Sequence, residues 1–486
     1  MTGDPPPGYL GADARVRSGP APELVEAGYE LELADAPLLV RGLGLADLAH
    51  ALVLPAIPDA DRRALLAALL DLLDAEPPGD SRYGDLANLR ERLLHERIGS
   101  AAGWLNAGRP RREAGRIAFR IALRERVLDL HGAVLRFAVA LVEVAARERE
   151  TPMPDYTYLQ VAQPTTAGHW LLSFAFPALR DAERLRRDFD WVNRSPAGAG
   201  GVNGSRFAPD RARLAELLGF SEPIAHARDA VWQTDGLADL TSHAAIAAVG
   251  ASRFGEDVEL YSAAEFGLLS IGDELCRASA LMPQKRNPYA LVVLRGGAGT
   301  LIGRATGVLA TQRTPSGRTD NLLYAYGEVA GAVELAARLL RLAAAVAETL
   351  TIHRDAAERA LRDGFAQATD VAEVVSLQAG MDYRSAYRVV GRAVAAGRLD
   401  PAALGRELGI DEALLRDALD PAASLATRTA PGGAARAPMD AMLAECRTAL
   451  GEERAWNERA RDATARTEAA LLQRARTASG SSSSVS

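Results

Sequence analysis

Lysine is nearly missing from this chain: Lys285 is the single one, although lysine and arginine together number 56. Acidic residues outnumber basic ones and the net charge is −7, so there is no basic excess to hold nucleic acid, and no nucleic-acid partner is expected. Cysteine is almost absent too. Cys276 and Cys446 stand far apart with no C-x-x-C pair, which excludes a disulfide framework and leaves a zinc site unsupported. Neither a metal nor a cofactor is expected. No apolar run reaches the roughly 20 residues a bilayer requires before Arg, Asp or Glu interrupts it. The opening MTGDPPPGYL has no charged segment leading into an apolar one. These gaps predict a cytoplasmic protein with no membrane partner.

What is present is apolar and periodic. Hydrophobic residues make up 48% of 486 residues, enough for a large core and more than one lobe. From Ile117 to about residue 147, apolar positions recur in steps of three and four, with neither Gly nor Pro after Gly132. Similar stretches cover 168–190, 225–249, 289–311 and 324–350, while alternating strand patterns are scarce. The prediction is an all-α fold with a long central helical bundle over 117–350. Smaller helical lobes flank it at 26–116 and 351–450, and a terminal helix near 451–476 runs into a Ser-rich tail ending at 486. Residues 1–25, rich in Pro, Gly and Ala, are expected to be disordered. VELAARLLRLAAAVAETL (333–350) is apolar over much of its circumference, which calls for a partner and predicts self-association.

The lone lysine sits in CRASALMPQKRNP (276–288), a stretch punctuated by Pro283 and Pro288 that reads as a polar loop between helices. Ser279, Lys285 and Asn287 there can face a small anion. An ammonium is a compact charge with rotatable donors, whereas guanidinium is a wide planar fork, so a site shaped around one carboxylate oxygen can refuse arginine.

This loop resembles the G-S-S-x-M-P-x-K-x-N-P loop of the fumarase/aspartase superfamily, and within it of argininosuccinate lyase. DYTYLQVAQPTTAGHWLL (155–172) resembles the family's G-Y-T-H-L-Q-x-A-Q-P-T-T-x-G-H segment, and GWLNAGRPRREAGR (103–116) its L-H-T-G-R-S-R-N-D segment. The resemblance runs over roughly residues 40–450. It implies a homotetramer whose active sites combine loops of three subunits, and breakage of a C–N or C–O bond in an anionic succinyl compound to release fumarate. It further implies that Ser279 takes the proton while Lys285 and Asn287 hold the substrate's charge. Thr157, Gln163, Asn106, Arg109 and Arg111 stand at its substrate-contacting positions, and His169 at a structural one.

Departures from the pattern concern the leaving group. Tyr158 stands where the family has a histidine thought to help protonate the leaving nitrogen, and Val292 where it has the paired glutamate. Arg112-Glu113 replaces Asn-Asp. In PSGRTDNLLYAY (315–326), Arg318, Leu323 and Tyr326 replace the Tyr, Gln and Lys that would hold the amino-acid half. The expected activity is β-elimination from a substituted succinate, with argininosuccinate disfavoured. A genuine argininosuccinate lyase, a silent tetrameric scaffold, and an addition or cyclisation enzyme are the alternatives.

Overall fold

A computed structural model of the chain describes residues 20–75, 79–232, 234–313 and 322–480. Most of the expected disordered start, the tail after 480, and Arg318 therefore lie outside the described residues. Residues 22–24 already open a helical stretch.

Among the described residues, nine of the longer helices organise the fold: α1 (Ala36–Val53), α2 (Asp59–Asp74), α3 (Leu86–Ile98), α4 (Arg111–Arg147), α5 (Ala167–Val192), α6 (Asp235–Ser262), α7 (Tyr289–Gln312), α8 (Leu323–Glu348) and α9 (Arg436–Ser479). The chain is an all-α bundle. At 37 residues, α4 is about 55 Å long at 1.5 Å per residue. Its buried Phe119, Leu123, Val134 and Leu141 pack against α5 and α8, and α6 lies against α7, α8 and α5 in the same core. On the N-terminal side, Leu48, Leu66, Leu69 and Leu94 of α1 to α3 form a second core. Short helices between 354 and 426 enclose a third around Val371, Val375, Val390 and Leu415.

Two expectations need correction. The single helix expected over 225–249 is two, Ala227–Trp232 and then α6, which continues to Ser262. The helix expected at 451–476 begins at Arg436. It links the cores, with Met439 and Leu443 in the bundle and Leu471 against α1 and α2. Buried His131 fixes it to α4: Nε2 lies 3.0 Å from Glu453, and Nδ1 lies 3.1 Å from the Asn457 amide. Helix α1 passes for a membrane span by length and composition only; Arg41 and Asp47 interrupt its apolar run, and 61% of it is buried inside the fold.

Candidate active site

The three matched segments occupy three places on one protomer. In the first, Pro110, locked near φ −73°, caps α4 and delivers Arg111 at its first turn. Asn106 donates to Glu91 Oε1 at 2.7 Å, and Arg111 Nη1 to Asp85 Oδ2 at 2.6 Å. Arg109 points inward rather than at solvent. Its side chain is 5% exposed and paired with Asp47, which Arg90 also contacts at 3.0 Å. Its Nη1 is buried with no partner among the described residues. Asn106, Arg109 and Arg111 line a cavity of about 730 Å³ whose opposite wall is Gly200, Gly201 and Gly204.

The second segment is a hairpin that runs into the Thr166 cap of α5. Strand β1 (Pro152–Thr157) pairs antiparallel with β2 (Gln160–Thr166), and Thr157 opposes Gln160. Tyr158 and Leu159 make the two-residue turn with φ of 53° and 57°, left-handed values that a hairpin turn of this kind requires and that Asn-Gly ordinarily supplies. The turn thrusts Tyr158 outward, 99% exposed, at the rim of a cavity of about 510 Å³ that also borders Trp170, Asp181, Asp257 and Tyr261. Thr157 and Gln163 are exposed on the two strands. His169 is fully engaged: Nε2 faces the Gly432 carbonyl at 2.9 Å, so it carries the proton, and Nδ1 accepts from Thr165.

The third segment folds on itself through β3 (Arg277–Ala278) and β4 (Arg286–Asn287), leaving 279–285 as the loop between them. Ser279 Oγ accepts the N–H groups of Met282 at 3.0 Å and Leu281 at 3.3 Å. Donors aimed at a hydroxyl oxygen stabilise negative charge on it, which suits a serine that must act as an alkoxide. Asn287 Nδ2 donates to the Arg277 carbonyl at 3.0 Å and so braces the loop. Lys285 is exposed and, among the described residues, has no ion-pair partner. Within one protomer these residues border neither of the two cavities above.

Sequence reasoning missed Asp47, the anion between two buried arginines, and Glu113, whose carboxylate holds the glycine wall. The run GAGGVNGS (198–205) signalled tight turns but not their partner.

Bundle, serine loop and arginine-bearing turn define a fumarase/aspartase-type lyase. A family described as Lyase matches residues 83–303. Argininosuccinate lyase of Methanoculleus marisnigri is 34% identical over 433 residues, covering 85% of this chain and 88% of the relative. That of Nocardia farcinica is 36% identical over 463 residues, covering 91% and 96%. Among solved structures, a variant of EDDS lyase with bound fumarate superposes with a TM-score of 0.84 at 23% identity, covering 95% of this chain and 97% of that one, a likeness of fold. The chain belongs to the argininosuccinate lyase family and is a carbon–nitrogen lyase working by β-elimination.

Proposed function

We propose that the enzyme releases fumarate from an N-substituted succinate other than argininosuccinate, in sites shared between subunits of a cytoplasmic homotetramer. One observation carries this reading: the serine loop keeps Ser279, Lys285 and Asn287 while the amino-acid pocket is rebuilt. Leu323 and Tyr326, at the positions where the family carries amino-acid-binding side chains, border a cavity of about 50 Å³, room for little more than water. Tyr326 is 5% exposed, against Phe119 at 4.2 Å and Arg116 at 5.2 Å.

The chemistry follows from placing charge. Ser279, as alkoxide, removes a proton from the carbon next to the substrate's carboxylate. Negative charge then spreads into that carboxylate, where Lys285 and donors from sister chains hold it. Collapse of this dianion breaks the C–N bond, forms the fumarate double bond and expels the amine, which takes a proton from Tyr158 or water. A phenol is a weaker acid than the imidazolium the family uses there, so the leaving group is one that departs with little help.

Assembly is supported by α7. Val292, Ile302 and Leu309 are 55%, 53% and 54% exposed, and the space beside Gly296, Gly299 and Gly303 is open. A helix apolar on both faces needs a second partner. The assembly matters to the site, because one protomer leaves Lys285 in solvent.

The test is fumarate absorbance during incubation with argininosuccinate, a panel of other N-substituted aspartates, and nitrosuccinate. Turnover of a panel member well above argininosuccinate supports the reading. Preferred turnover of argininosuccinate identifies a genuine argininosuccinate lyase, and no fumarate from any compound leaves the scaffold or addition readings.

A further inference from the structure

Glu113 lies on the first turn of α4, 1% exposed, beside the arginines of the 730 Å³ cavity. Each of its carboxylate oxygens accepts one backbone N–H, Oε1 from Gly198 and Oε2 from Gly200, both at 2.7 Å. Burial pushes this carboxyl up, while the two N–H bonds and Arg109 oppose that shift. The neighbouring Arg112 is turned away, held by both oxygens of Glu32 at 3.0 and 3.1 Å. Of the two residues that replace the family's Asn-Asp, one is thus tied to the N-terminal side and the other to a loop 85 residues downstream.

That loop has a backbone built for anions. Gly198, Gly200, Gly201 and Gly204 have φ of 76°, 61°, 82° and 88°. Left-handed residues alternating with right-handed or extended ones turn successive N–H groups toward one concave side. Two of those groups already converge on an internal carboxylate. The N–H of Gly201, which borders the cavity, has no acceptor among the described residues. The two cavity walls meet closely, since a Cβ at Gly108 would lie 2.0 Å from Ser205 Oγ, and the glycine loop is tight within itself, since one at Gly200 would lie 2.6 Å from the Gly204 carbonyl.

The geometry points to the glycine loop 198–205 as a carboxylate-binding wall of this cavity, acting opposite Arg111, and to Glu113 as the positioning residue that keeps the loop in its binding shape. The ligand class, a small dicarboxylate, rests on the proposed function; the clamp itself does not.

The experiment uses the full-length oligomer and two variants, Glu113→Gln and Glu113→Asp, with two measurements. Amide hydrogen exchange over 197–206 reads the clamp without ligand, and calorimetric titration with fumarate reads the cavity. Glutamine sets an NH2 donor against a backbone donor, whereas aspartate keeps both acceptors about one bond length short. In Glu113→Gln, exchange at the loop is expected to quicken at least tenfold while α4 stays protected, and fumarate affinity to fall at least tenfold. Glu113→Asp is expected to recover part of both. Ser424→Ala, which breaks a buried 2.7 Å hydrogen bond to Asp370 among the C-terminal helices, serves as a destabilised control with unchanged affinity. Unchanged loop exchange overturns the clamp. Quickened exchange with affinity within twofold of the parent overturns the binding role. A parent protein that binds no fumarate overturns the ligand class and the proposed function together, while the exchange result still decides the clamp.

Discussion

Replacing Asp47 by alanine strips the shared anion from two guanidinium groups that cannot reach water. The Arg90 and Arg109 side chains are 2% and 5% exposed, and Asp47 itself is 4% exposed. Arg90 lies 3.0 Å from Oδ2 through Nη2 and 3.3 Å through Nε, and Arg109 contacts Oδ1. Nearby His50 is pushed down to about 2, by burial first and by Arg109 second, and is neutral, so it adds no charge of its own. Removing one partner of a buried ion pair costs about 3–5 kcal/mol. Here one buried carboxylate serves two buried guanidinium groups, so the loss should fall within that range. Because Arg109 also borders the cavity with Arg111, fumarate affinity should fall with it. Urea titration gives the stability difference, and calorimetry at a urea concentration well below the transition gives the affinity. Asp47→Asn, which keeps an acceptor but not the charge, should fall between. A loss below about 1 kcal/mol for Asp47→Ala would refute the view that this anion organises the first segment.

Three further outcomes follow from particular residues. Lys285→Arg should lower turnover by about 100-fold or more, the scale of losing one aimed donor, and should leave the thermal midpoint unchanged because Lys285 is exposed; equal turnover would mean that any cation serves. Asp181 is raised to about 6, by burial against the opposing Arg184. Its folded form therefore keeps a proton that the unfolded chain gives up near pH 4, and stability falls as pH rises from about 4 to 6 and stays lower above. The shift of roughly two units corresponds to at most about 3 kcal/mol, so Asp181→Asn should be the more stable protein at pH 8 and lose that advantage below pH 4; an advantage independent of pH would exclude this cause. Leu159→Gly should stabilise the protein by about 0.5–1 kcal/mol, since Leu159 adopts φ 57° at the hairpin turn; a lower thermal midpoint would show that its packing matters more than its backbone.

The long helices were legible because burial follows the 3.6-residue period, as Ile117, Ile121, Leu128 and Val142 illustrate. The serine loop was legible because its residue types and spacing lie within ten positions. The hairpin at 152–166 was not, since three prolines broke its alternation and a Tyr-Leu turn carries no Asn or Gly signal. Nor could a local pattern reveal the Glu113 clamp, which joins residues 85 and 87 apart in sequence, or the Asp47 pair with Arg109, 62 apart. The segments carrying Arg111, Tyr158 and Ser279 lie at different places on one protomer, and the proposal of a site shared between subunits starts from that separation.

Hybrid oligomers test that idea most directly. Ser279→Ala subunits and Arg111→Ala subunits, each inactive alone, are mixed in equal amounts, dissociated, reassembled, and assayed for fumarate release with the substrate found by the panel. When the serine and arginine of one site come from different subunits of a symmetric tetramer, random mixing restores about a quarter of the parent activity. When both come from the same chain, no mixed site is whole, and absence of any recovery would contradict the account.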